Sequence, residues 1–514
     1  MENCLPPVES QPAWPRGASA IMAVSGALLI ILALVFLNAV PDSRADQAND
    51  PFTYLSLARG LLTGDGYPSK HWMPGFSVML AGLVALFGAN WVALKLAMLG
   101  ISLVGVLLSF RLFRTQLPAV AAWPLALVLA ATPLYFDYSH RAMSEIPALV
   151  SAVAALLALH QLKSAVDRRG WIAWSIALAV ASVVALLIRG NALALAPALL
   201  VGVINLRPTA PQARWGMAAA CAALLLTYGA WSWQAGRQQY VGIHNVSYTQ
   251  EIQARDIEAL WNTSGEFGPG VERVDAAGFA RRIYQNIAWH SSFQVAGLLA
   301  PTADRLQEIN YPGLGFVLVA LLLIPQLVGF VQLARRSPEL ATFLLCSVGM
   351  IIVYPTGGAT RMLLPFLPVL LLNGYLGLER LLGAERAVAW LLCLLVSNIA
   401  LCAIAADQQR QHPYANAAFG DFVNLVTNEL PQALRPQEPV GADLQEELHA
   451  LTGVRPQGIA ALSAHVAAGR QPAALIVHTG GYIPSRELVA TELASSGQAR
   501  LLRITRRGPS PTDQ

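Results

Sequence analysis

Asp50, Glu145, Arg189 and Arg361 each stand where a long apolar run gives way to polar sequence. An ionised side chain at a bilayer edge is costly unless it is solvated, paired or at work. Carboxylates held in such places can take and return protons, and guanidinium groups hold anions through a planar fork of donors. Each residue also has a purely structural reading. Asp50 precedes Pro51 as a helix N-cap would, with Tyr54, Leu57, Ala58 and Leu61 on one helical face. Glu145, before Ile146-Pro147, suits the positive end of a helix dipole, while Arg189 and Arg361 suit anchors in the headgroup layer. Taken singly, none of the four decides between these readings.

The elements that must position them are membrane helices. Of the 514 residues, 55% are apolar and only 12% charged, and the mean hydropathy is +0.50, the composition of a polytopic membrane protein. The net charge of +4 is carried almost wholly by arginine, with Lys70, Lys95 and Lys163 the only lysines. That balance bears on loop orientation and gives no sign of nucleic-acid binding. The five cysteines show neither metal-ligand spacing nor a disulfide framework.

A bilayer-crossing helix needs roughly 17–25 apolar residues, and about eleven runs approach this. They lie near Ala18–Val40, Trp91–Leu112, Val120–Tyr135, Ile146–Leu162, Trp171–Leu187, Ala192–Leu206, Trp215–Trp233, Gly313–Leu333, Leu340–Tyr354, Met362–Leu378 and Ala387–Ala405. With the N-terminus in the cytoplasm, every short connection on the inner side bears arginine, as the positive-inside rule asks. The same threading puts Asp50, Glu145, Arg189 and Arg361 together on the outer side. In the first outer loop, 41–90, the apolar stretch Met73–Phe87 is barely long enough to cross and carries Pro74-Gly75, so an interfacial or re-entrant helix is expected there. The outer loop 234–312 is too long to be a mere connector.

After Ala406 the composition turns soluble. Helices are expected at Asp421–Leu430, Leu444–Leu451 and Arg486–Ala494, and strands at Pro439–Ala442, Ala473–His478 and Arg500–Ile504, giving a small α/β domain. The expected layout is a cytoplasmic tail 1–17, a transmembrane catalytic module 18–405 and an extracytoplasmic domain 406–514.

The polar residues fall into an ordered set of motifs. Asp50-x-x-x-Tyr54-x-x-x-Ala58 is followed by Gly64-x-Gly66-Tyr67 and Trp72-Met73-Pro74-Gly75-Phe76; Ser144-Glu145-x-Pro147 follows the third span, and Arg361-x-x-x-Pro365-x-x-Pro368 comes late in the chain. In order and sidedness this set resembles the GT-C superfamily of membrane glycosyltransferases, most closely the bacterial branch related to protein O-mannosyltransferases and the lipid A aminoarabinose transferase. The resemblance covers roughly residues 18 to 405. It implies an all-α polytopic catalytic module in a bacterial inner membrane, using a sugar carried on a polyprenyl phosphate. It also implies that Asp50 matches the catalytic carboxylate, Glu145 the acid after the third span, and Arg361 the arginine near the lipid phosphate. Pro51 stands where many relatives carry a second acid.

On that footing Asp50 receives the proton of the acceptor hydroxyl. Glu145 completes the catalytic pair, orienting an arginine or the acceptor. Arg361, then Arg189 and Arg141, face the donor phosphate, and Tyr54, His71 and His140 are further substrate contacts. Asp42 and Asp46 compete for the base role but lack the tyrosine four residues on. No obligatory cofactor or metal is expected, because Pro41 and Pro51 interrupt any single helix carrying Asp42, Asp46 and Asp50; divalent-metal dependence is otherwise open. The expected partners are the lipid-linked donor, a glycan, lipid or protein acceptor, and the bilayer. A flippase for lipid-linked sugars and a non-catalytic envelope assembly protein are the competing readings; the scarcity of charge at mid-span counts against the first.

Overall fold

The computed structural model describes residues 18–39, 50–64, 66–67, 72–88, 90–205, 211–237, 276–289, 312–353 and 360–411. In the C-terminal part it describes 422, 425–435, 438–442, 448, 452, 459–468, 473–479, 488–496 and 499–506. The eleven expected spans fall on helical segments, but Val120–Tyr135 is divided between two helices, and Ala192–Leu206 and Met362–Leu378 each begin in a 3₁₀ turn. Among the described residues six helices are long and apolar enough to cross a membrane, or seven if one bent pair counts as a single span.

Helix α1 is Ala18–Ala39, α2 Asp50–Leu62, α3 Pro74–Phe87, α4 Trp91–Arg114, α5 Ala119–Ala131 and α6 Pro133–Ser139. Then follow α7 Glu145–Ser164, α8 Arg168–Ile188, α9 Leu195–Asn205 and α10 Pro211–Arg237. Further helices run Ala276–Trp289, Pro312–Arg336, Pro338–Val353, Leu367–Leu382 and Ala384–Gln411, with 3₁₀ turns at Gly190–Ala194 and Thr360–Phe366. A large apolar core joins most of the spanning helices. A smaller one, built from residues such as Tyr54, Phe76, Leu80, Met98 and Ile188, fastens α2 and α3 to α4 and α8.

The run expected as one span at Val120–Tyr135 is broken. Pro133 cannot donate to the α5 ladder and forces Thr132 out of the helical region, to φ −60° and ψ 122°. The chain bends by 64° there. Thr132 Oγ1 donates to the Val128 carbonyl at 2.8 Å, and Tyr135 O–H ties α6 to α4 through the Ser102 carbonyl at 2.7 Å. Beyond the bend α6 packs against α4, α7 and the 3₁₀ turn Thr360–Phe366.

Between α2 and α3 the motif glycines have a geometric cause. Gly64 and Gly66 adopt φ of +80° and +81°, the left-handed region that favours glycine. Tyr67 O–H then donates to the Trp72 carbonyl at 2.8 Å, at the entrance to α3. Helix α3 has 14 residues, about 21 Å at 1.5 Å each, short of a bilayer core of ~30 Å. Its Gly75 lies flat against the end of α8: a Cβ there would come within 2.6 Å of the Leu187 carbonyl carbon and 2.8 Å of the Ile188 nitrogen. Gly75→Ala is therefore expected to push α3 off α8 at a cost of ~1–3 kcal/mol, seen as a lower melting temperature of the detergent-purified protein. Helix α2 is buried on nearly every side from Pro51 to Gly60, not on one face only, because α3 and Trp91 of α4 close over it.

At the opposite helix ends, Lys163 Nζ donates to the buried Glu339 Oε1 at 2.6 Å. The end of α7 is thereby tied to the start of the helix Pro338–Val353.

The C-terminal part carries a four-stranded sheet of β1 Val440–Ala442, β2 Ala473–His478, β3 Leu488–Ser496 and β4 Ala499–Arg506, in the order β1-β2-β4-β3. Strands β1 and β2 are parallel; the other pairings are antiparallel. Helix Ile459–Ala467 packs on the sheet through Leu462 and Val466. The segment expected as a helix at Arg486–Ala494 is instead strand β3. It pairs with β4 from Leu488↔Arg506 to Ser496↔Ala499, and this cross-strand pairing decides its state. The expected helix Leu444–Leu451 lies largely outside the described residues.

Candidate active site

Helix α2 starts at Asp50 with Pro51 behind it, which puts the carboxylate at the positive end of the helix dipole. Glu145 opens α7 and is fully buried. Arg189 caps α8 in extended conformation, φ −154° and ψ 126°, turning its side chain back from the helix axis. Arg361 lies in the 3₁₀ turn ahead of the helix Leu367–Leu382. That turn packs against α6, α7 and the helix Pro338–Val353.

The four side chains converge. Arg361 Nη1 donates directly to Asp50 Oδ2, across 311 residues of chain. Its Nε lies 3.8 Å from Glu145 Oε1, and Arg189 Nη1 meets the same oxygen at 2.8 Å. Arg189 Nη1 also donates to Ser144 Oγ at 2.9 Å, and Ser144 Oγ shares a hydrogen bond of 3.0 Å with the Tyr54 hydroxyl. Two acids and two arginines thus form a formally neutral chain of ion pairs, Asp50–Arg361–Glu145–Arg189. Its burial is graded: the side chains of Glu145 and Arg189 are 0% and 17% exposed, those of Asp50 and Arg361 21% and 27%. Glu145 Oε2 is buried without a hydrogen-bond partner among the described residues.

Burial pushes the Tyr54 phenol well above its ordinary range, opposed by Arg189, so the hydroxyl stays neutral. Burial works against the charge of Arg189, but the charge and hydrogen bond of Glu145 together with Tyr54 outweigh it, and the guanidinium is raised. Tyr54 is clamped edge-on between Trp72 and Phe76, with ring centroids 4.8 and 4.7 Å away, contacts worth ~0.5–1.5 kcal/mol each.

The remaining candidates lie differently. Arg141 forms an ion pair with Asp137 one turn earlier and stacks over Tyr138 at 5.6 Å. His140 is buried, 5.6 Å edge-on to Phe136, with Nδ1 3.4 Å from Ser139 Oγ. His71, Asp42 and Asp46 lie outside the described residues. Sequence reasoning gave no role to Ser144, although it stands in the Ser-Glu-x-Pro motif, or to Asp137, whose spacing of four from Arg141 was the available signal. Among the described residues no cluster of three or more His, Cys, Asp or Glu could hold a metal ion. Chemically, the cluster offers a partly open carboxylate beside one guanidinium group, with a second behind it, both held by a buried acid.

No protein-family model and no curated protein matches the sequence. Solved structures do match. ArnT from Cupriavidus metallidurans bound to undecaprenyl phosphate superposes with a TM-score of 0.61 at 13% identity, over 96% of this chain and 100% of that one. The apo state of the same protein gives 0.60 at 13% identity with the same coverage. At this identity the likeness is one of fold: the chain has the fold of ArnT from Cupriavidus metallidurans.

Proposed function

We propose that the chain is a membrane glycosyltransferase that moves a sugar from a polyprenyl-phosphate donor to an acceptor hydroxyl on the extracytoplasmic side. The observation that carries this reading is the meeting of Asp50 with Arg361. A carboxylate for the acceptor proton and a guanidinium for the leaving phosphate stand side by side at the solvent-facing edge of a buried cluster. ArnT, of the same fold, was crystallised with undecaprenyl phosphate.

In the reaction the acceptor oxygen attacks the sugar C1 and passes its proton to Asp50. The bond from C1 to the phosphate oxygen breaks, and its electron pair leaves with the polyprenyl phosphate. General-base assistance contributes ~10²–10⁴-fold. Arg361 and Arg189 stabilise the charge growing on the leaving phosphate, where scarce water strengthens each interaction. Arg141, His140, His71 and Tyr54 are assigned to the walls of the substrate site. The N-terminus is assigned to the cytoplasm of a bacterial inner membrane, residues 18–405 to the catalytic module and 406–514 to an extracytoplasmic domain.

Because guanidinium groups carry the phosphate charge, no divalent cation is obligatory, and transfer is expected to persist in EDTA. Mass spectrometry of host envelope glycans with and without the chain tests the function. Loss of one sugar substituent on deletion is expected; an unchanged profile contradicts the reading.

A further inference from the structure

The two carboxylates on Arg361 are not equivalent. Glu145 sits on the Nε edge, fully buried and held by Arg189 as well. Asp50 sits on the Nη1 side, is a fifth exposed, and has Arg361 as its ion-pair partner. A carboxylate whose oxygen accepts from a guanidinium is a poorer proton acceptor for a third group. Arg361 in turn offers a phosphate the very donor that Asp50 occupies. From this geometry we infer that the donor phosphate and Asp50 compete for Arg361, so that donor binding is what releases the base. This rests on the function proposed above.

The exchange has a definite sequence. Glu145 keeps the guanidinium in place while the phosphate takes the Nη1 side. Asp50, freed, faces the acceptor hydroxyl beside a new negative charge, which favours its taking a proton. Once polyprenyl phosphate leaves and the proton passes to water, Asp50 closes back onto Arg361. The acceptor is therefore activated only after the donor is seated. The apparent affinity for the phosphate is also scaled down to the fraction of time Arg361 is free of Asp50.

Binding of undecaprenyl phosphate to the full-length protein in detergent tests this. Asp50→Asn is expected to bind it about three- to tenfold more tightly than wild type, although the same variant is expected to be about 10²–10⁴-fold slower in transfer; Asp50→Glu, which keeps the competitor, is expected to bind like wild type. Removing any nearby negative charge also favours an anion, so the cycle with Arg361→Gln decides. If the effect is exchange, Asp50→Asn gains nothing in the Arg361→Gln background. Equal affinity of wild type and a normally melting Asp50→Asn, or the same gain in both backgrounds, overturns the exchange and leaves the proposed function standing. Wild type that binds undecaprenyl phosphate with the expected cycle but transfers no sugar instead overturns the function.

Discussion

Asp50→Asn is expected to slow sugar transfer by about 10²–10⁴-fold with little effect on folding. Asparagine has nearly the same shape and still accepts a hydrogen bond from Arg361, but it cannot take up a proton at working pH. The stability at stake is small, because a partly exposed ion pair contributes only ~0–1 kcal/mol. The helix start survives as well, since Asn serves there as Asp does. Initial rates of donor consumption in proteoliposomes, with melting curves alongside, check both halves. A variant that melts normally and transfers at the wild-type rate would move the base to Asp42, Asp46 or Glu145.

Glu145→Gln is expected to act in the opposite way, on the fold first. Its carboxylate is fully buried, and its Oε1 meets Arg189 at 2.8 Å and Arg361 at 3.8 Å. Neutralising it leaves two guanidinium groups facing each other with only Asp50 to balance them. Removing one partner of a buried ion pair costs ~3–5 kcal/mol, and a clear fall in melting temperature is expected together with loss of transfer. Restoring the charge balance through Glu145→Gln combined with Arg189→Gln is expected to recover much of the stability and little activity. A single variant as stable and active as wild type would show that the cluster is not organised by this acid.

The comparison of Asp50 with Glu145 indicates what was legible in the sequence. Both were visible because ionisable groups at the ends of apolar runs are costly, and a common side is expected for them from where the arginines fall. The convergence with Arg361 could only be expected, since no local pattern reports a contact across 311 residues. Ser144 was hidden by its ordinariness: a serine before a helix has a bland capping role, and only the placement of Tyr54 and Arg189 on either side makes it a bracket. The break at Thr132-Pro133 was written in the sequence, yet the apolar run through it masked the proline. In the C-terminal part, Arg486–Ala494 reads as a helix on its own. Its strand state depends on β4, a partner that periodicity within the segment does not contain.

The most direct test is a single-turnover experiment on the full-length protein in proteoliposomes loaded with a radiolabelled pool of the host's polyprenyl-phosphate sugars. Label leaving the lipid for a water-soluble or protein-bound product, with free polyprenyl phosphate left behind and no such loss in Asp50→Asn, is the expected result. Label that stays on the lipid while crossing from one leaflet to the other would contradict the account, making the chain a carrier of the lipid-linked sugar and not the catalyst that cleaves it.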